Sequence, residues 1–164
     1  MNLFKIKIFK YFKNKYYLNL ILIIIFLDFF SKKIIKNYLI YRKNFYVSNY
    51  FNLFYTCNYG ISFGYLSYLG KNIPYILIIT ITIILFFLIK QFYFLKNVSI
   101  FIKIGYCFII GGTISNLLDR IINKKIIDFI DFHINKYHYP TFNFADIFIL
   151  LGTLLIIKNF IKNI

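Results

Sequence analysis

Four stretches of this chain approach the length at which a mostly apolar helix crosses a bilayer, and nothing else in the sequence constrains the fold as strongly. About 20 such residues cover the hydrocarbon core. The first stretch runs from about Tyr16 to Asn37, apolar through Leu27 and then interrupted by Asp28 and the Lys32-Lys33 pair, whose stems can snorkel toward an interface. The second covers about 73–89 and opens with Pro74, whose missing N–H does no harm in a first turn. The third, about 98–118, carries Gly105, Gly111 and Gly112, small residues that let helices approach closely. The fourth covers about 144–161.

Composition agrees. Of 164 residues 60% are hydrophobic and 23% aromatic, more than a soluble domain of this length needs for its core. The mean hydropathy is +0.70. The expectation is an all-α membrane protein, a single integral membrane domain over residues 1–164 with four transmembrane helices. The net charge of +15 does not point to nucleic acid, because the Lys residues gather at the ends of apolar segments without a nucleic-acid-binding motif. Heavy use of Ile, Lys, Asn, Phe and Tyr, with no Trp, has the character of AT-rich codon bias. Single surface Lys or Asn residues therefore carry little weight. Cys57 falls in a connection and Cys107 inside a span, so a disulfide would have to join different depths.

Charge also orients the chain. Lys5, Lys7, Lys10, Lys13 and Lys15 precede the first span, which lacks a small-residue cleavage site and reads as retained rather than as a removed signal. By the positive-inside rule that cluster stays cytoplasmic, and four spans return Lys158 and Lys162 to the same side. Lys90 and Lys96, in the short second connection, agree; Lys124, Lys125 and Lys136, in the third, pull the other way. The connections at about 38–72 and 119–143 then face outward. The first contains "NFYVSNYFNLFYT", whose imperfect period-two alternation predicts a small β-like region on the membrane.

The acidic residues are few and clustered: Asp28, Asp119, Asp128, Asp131 and Asp146, with four of the five between 119 and 146. A carboxylate at membrane depth is costly and normally persists for a reason. Two that converge in a partly desolvated site cannot both ionise cheaply, so one keeps a proton while the other stays charged. Such a split suits an aspartyl protease, in which the ionised member takes a proton from water and the protonated member polarises a carbonyl. By spacing alone, helix capping or pairing with Arg120 and Lys124 is the better account of these residues, and Asp119 stays open as a dyad member.

"GGTISNLLDR" (111–120), "IIDF" (126–129) and "FNFAD" (142–146), in that order, resemble the motifs of bacterial lipoprotein signal peptidase, or signal peptidase II. "DFFSK" (28–32) and "NYGISFG" (58–64) resemble its first-span Asp/Lys pair and its N-x-G-x-x-F loop motif. Phe29 stands where that family usually has Gln, Ser115 where it usually has Gly, and Ile61-Ser62 where Ala is common.

The resemblance implies an intramembrane aspartyl endopeptidase that cuts signal peptides from diacylglyceryl-modified prolipoproteins just before the lipidated Cys. It implies catalytic roles for Asp128 and Asp146, with Asn58, Gly60, Asn116, Asp119, Arg120, Asn143, Asp28 and Lys32 binding substrate or supporting the pair. Arg120 is expected to take a carboxylate bidentately, which makes Asp119 structural. Gly111 and Gly112 are expected to accept substrate beside the dyad. No cofactor or metal is implied, and the partners are prolipoproteins and membrane lipids, met by a monomer in the bacterial inner membrane with its active site near the outer face. Asp131, His133 and His138 lack helical zinc-ligand spacing and fall outside the matched motifs, and Cys57 reads as a free thiol rather than a nucleophile. The competing class is a small transporter or channel subunit that uses intramembrane Asp residues, which would place carboxylates at mid-span in several helices.

Overall fold

A computed structural model describes residues 15–39, 44–60 and 72–162. Lys5, Lys7, Lys10 and Lys13, and residues 61–64 of the loop motif, lie outside the described residues.

Helix α1 (Lys15–Leu39) buries Ile21, Ile24, Asp28, Lys32, Ile35 and Leu39. Those positions recur every three or four residues, so one stripe of the helix faces inward, and the Asp28/Lys32 pair lies in that stripe rather than toward lipid. Helix α2 (Ile73–Phe94) buries only Ile73, Leu77 and Phe92, with Pro74 in its first turn as expected. Helix α3 (Ile100–Asn123) is the central one: it packs against each of the other helices and buries residues from Gly105 to Arg120. Its N-terminus is capped by Ser99, whose hydroxyl accepts the Phe101 N–H at 3.3 Å, and Lys124 closes its end at φ 58°. Helix α4 (Phe144–Lys162) buries Ala145 and Gly152.

Helices α2, α3 and α4 are long and apolar enough to cross a membrane. The first expected span is a helix of 25 residues, but Asp28, Lys32, Lys33 and Lys36 crowd its second half and it does not reach that apolar standard. Three of the four expected spans therefore qualify by length and composition.

The small residues of α3 are used inside the protein. A Cβ at Gly112 would meet the Ala145 carbonyl oxygen at 2.5 Å, and one at Gly105 would meet the Gly152 carbonyl at 2.8 Å. Gly105 and Gly112 are seven residues apart, as are Ala145 and Gly152, so two close approaches two turns apart bring the α3 and α4 backbones together. Gly111 is filled by Ile24 of α1, 3.1 Å from where its Cβ would stand. The expectation that Gly111 and Gly112 receive substrate is thereby corrected: neighbouring helices occupy that space.

Between the helices the chain builds an antiparallel sheet in the order β1 (Asn44–Ser48), β2 (Phe51–Asn58), β3 (Ile126–Ile134), β4 (Tyr137–His138). The β-like region of the 38–72 connection is present, and the 119–143 connection supplies half of the strands. The imperfect alternation has a cause: the register shifts between Tyr46 and Ser48 and again between Leu53 and Thr56. Phe129 and Ile130 of β3 pack on Ile35 and Leu39 of α1, which seats the sheet on the end of the helices.

Candidate active site

Helix α4 starts with a reciprocal cap. Asn143 accepts the Asp146 N–H on its Oδ1 at 3.0 Å, and Asp146 Oδ2 accepts the Asn143 N–H at 3.1 Å. These bonds satisfy backbone donors that a helix start leaves orphaned, in the pattern of a capping box. The Ala145 N–H, one more such donor, goes to Asp28 Oδ1 at 2.9 Å. "FNFAD" is thus read twice by the fold, once as a helix start and once as the seat of a carboxylate.

Asp128 arrives on β3. Side chains alternate along a strand, so Asp128 and Asp131, three residues apart, take opposite faces. Asp128 is buried, with Oδ1 accepting the Asn143 side-chain amide at 2.6 Å and Oδ2 accepting the Asn58 amide at 3.0 Å. Asn143 therefore holds both carboxylates, Asp128 by its side chain and Asp146 by its backbone. Burial, and next the neighbouring Asp146 charge, push the Asp128 carboxyl up to about 6. Two Asn amides work against that rise without cancelling it.

The remaining polar residues form one network. Lys32 Nζ donates to Asp28 Oδ2 at 2.5 Å and to Asn116 Oδ1 at 3.0 Å, and pairs with Asp119 at 2.7 Å. An ammonium has only donors, so Lys32 fixes which end of the Asn116 amide faces it. The other end, Nδ2, then donates to Asp146 Oδ1 at 2.9 Å. Asp28 is completely buried and also accepts the Ser115 hydroxyl at 2.6 Å. The Ser that replaces the usual Gly thus adds a bond to the network. Phe29, in place of Gln, is 57% exposed on the outside of α1, and no polar group is lost from the site interior.

Two expectations need correction. Asp119 is paired, but with Lys32 and not with Arg120, because successive helical residues point about 100° apart and cannot face each other. Arg120 instead donates Nη2 to the Gly60 carbonyl at 2.8 Å, tying α3 to the loop after β2. Asn58 works in two directions: its Oδ1 accepts the Gly60 N–H at 3.0 Å as in a turn, while its amide reaches Asp128. Lys124 lies over the Tyr75 ring, 4.8 Å from its centroid. All ten residues singled out from sequence are brought together. Cys57 and Cys107 are both free thiols.

A groove of about 700 Å³ opens beside the pair, lined by Asn58, Asn116, Arg120, Asp128 and Asp146 at its polar end. Leu77, Ile81 and Ile84 of α2 and Ile149 and Leu150 of α4 line its apolar length. A chain entering it would bring an apolar segment along the helices and an amide bond to the carboxylates.

The signal peptidase (SPase) II family model matches residues 20–162, nearly the whole chain. The chain belongs to the signal peptidase II family. It is 44% identical over 146 residues to a lipoprotein signal peptidase of Wigglesworthia glossinidia brevipalpis, covering 86% of this chain and 92% of that protein. It is 42% identical over 147 residues to one from Buchnera aphidicola subsp. Baizongia pistaciae, covering 85% and 88%. Among solved structures it is similar to a bacterial membrane enzyme determined by the in meso method, with a TM-score of 0.78 and 26% identity over 91% of this chain and 89% of that one. Membership of the signal peptidase II family makes this chain a membrane peptidase and displaces the transporter alternative. Asp28, Asp119, Asp128 and Asp146 converge in one network where α1, α3, α4 and β3 meet.

Proposed function

We propose that this membrane peptidase removes signal peptides from prolipoproteins by an aspartyl mechanism, with Asp128 and Asp146 as the catalytic pair. The observation that carries the reading is their joint suspension from Asn143 at the polar end of an apolar groove. A raised Asp128 pKa supports the division of labour. Asp146, at a helix N-terminus where the dipole favours negative charge, holds the charge at rest and takes a proton from water. As that water's oxygen bonds to the scissile carbonyl carbon, protonated Asp128 donates to the carbonyl oxygen; when the gem-diol collapses and the C–N bond breaks, Asp146 gives its proton to the leaving amine and a gem-diol hydroxyl returns one to Asp128. The coupled pair titrates jointly, so substrate can exchange the two roles.

The substrate is a lipid-modified precursor cut before its lipidated Cys, its signal segment lying along α2 and α4. Asn58 and Asn143 orient its backbone. Helix α1 serves as the fourth crossing: at 1.5 Å per residue it reaches about 37 Å, and its charged pair is covered by α3 and α4 rather than by lipid. Both termini face the cytoplasm and the sheet faces outward in the inner membrane, with the enzyme acting as a monomer. The test is cleavage of a lipidated precursor in a membrane-mimetic assay. Asp128→Asn and Asp146→Asn should each lose at least 1,000-fold in turnover by removing proton exchange, about 4 kcal/mol of transition-state stabilisation, while staying folded. Near-normal cleavage by either variant removes that residue from the pair.

A further inference from the structure

On the face of β3 opposite Asp128, the hairpin assembles a second constellation that the peptidase chemistry does not use. Asp131 and His133 are two residues apart on β3 and so share a face. His138 is the direct cross-strand partner of His133 in the β3–β4 pair, which puts its side chain on that face as well. The two-residue turn that makes this possible holds Asn135 at φ 54°, a conformation Asn tolerates. The result is a set of three donors, one from each residue, all within 4.8 Å of one another. His138 Nδ1 stands 2.8 and 3.1 Å from the two Asp131 oxygens, and His133 Nδ1 stands 3.6 Å from Oδ2. The imidazoles stack with centroids 4.9 Å apart and 20° between planes, so both present the same edge to the carboxylate.

Two further observations point to a ligand. His133 Nδ1 is buried and has no hydrogen-bond partner among the described residues. Asn52, paired with Asp131 across β2 and β3, has a buried Oδ1 that also lacks one among those residues. Buried polar atoms without partners are costly, and an ion satisfies several at once. We propose that Asp131, His133 and His138 form a site for one divalent transition-metal ion, zinc by its chemistry. Donors about 2.0–2.1 Å from a tetrahedral zinc lie about 3.3 Å from each other, within the range of separations seen between these histidines and the carboxylate. Two imidazoles and one carboxylate select zinc over magnesium or calcium, which prefer all-oxygen shells. The fourth position is left to water, since His138 is more than half exposed. The ion clamps the hairpin onto β3, the strand that carries Asp128. Helical spacing rules miss the set because its spacing is that of a strand pair.

The test is titration of the purified full-length protein with Zn²⁺ against a chelating indicator. One ion per chain should bind, and a large excess of Mg²⁺ should not displace it. His138→Ala and Asp131→Asn should each weaken binding tenfold or more, at least the loss that follows disruption of a supporting group around a metal. Asp128→Asn should bind zinc as the parent does, because that carboxylate faces away. The exposed His138 is the variant least able to disturb folding, and circular dichroism checks it. Unchanged affinity in the folded His138→Ala protein, or loss of the ion in Asp128→Asn, overturns the proposal.

Discussion

Asn143 donates its side-chain amide to Asp128 at 2.6 Å while its own N–H goes to Asp146, so one completely buried residue sets the spacing of two acids that approach from a strand and a helix. Asn143→Ala removes the side-chain bond to Asp128 and the cap on the Asp146 N–H together. Cleavage should fall about 100-fold and stability by about 2–3 kcal/mol, the cost of a cap plus an unsatisfied buried acceptor. Turnover kinetics and chemical unfolding in detergent check this; Asn143→Asp should not rescue activity, since a third carboxylate repels the pair.

The pH dependence follows from Asp128. Its carboxyl is raised to about 6 by burial and then by the Asp146 charge, against an ordinary value of 3.8. Protonation is therefore favoured by the folded state, so its contribution to stability is fully present below about 4 and lost as pH rises through about 6. If Asp128 must hold the proton, kcat/KM should decline through an apparent pKa near 6 on the alkaline side. Asp128→Asn should abolish the matching pH dependence of stability, measured by unfolding at pH 4 to 8.

Lys32 neutralises two acids, Asp28 and Asp119, inside the protein. Lys32→Met keeps the volume but leaves uncompensated buried carboxylates, an expected loss of about 3–5 kcal/mol. Freed of its donor, Asn116 can turn its amide away from Asp146, so surviving folded protein should cleave more slowly as well. Thermal melting and turnover measured on the same sample separate the two effects. Lys32→Arg should recover part of the stability.

Topology has its own test. A single Cys placed at Asn135, in the hairpin turn, should react with a membrane-impermeant reagent from outside the inner membrane. One placed at Lys162 should react only after the membrane is opened. The reverse pattern would put the active site on the cytoplasmic face.

The helices and the residues of the candidate site were legible in the chain because both are carried by local pattern. A run of apolar residues near the length of a bilayer specifies a helix wherever it lies, and Pro74 or Asn143 marks its start by local chemistry alone. Motif order named Asp128, Asp146 and the eight residues around them. What each supporting residue touches was decided only by the tertiary fold. The register of β2 against β3 put Asn58 beside Asp128, and the close approach of α3 to α4 consumed Gly112. Asp119 met Lys32 from another helix rather than its neighbour Arg120. The strands of the 119–143 connection were hidden for the same reason: Ile126 to Phe132 pairs with residues 68 to 81 positions earlier, and its burial comes from both the sheet and α1. Side-chain periodicity reports which face is buried, not what buries it, so partners distant in sequence exist only once the chain has closed on itself.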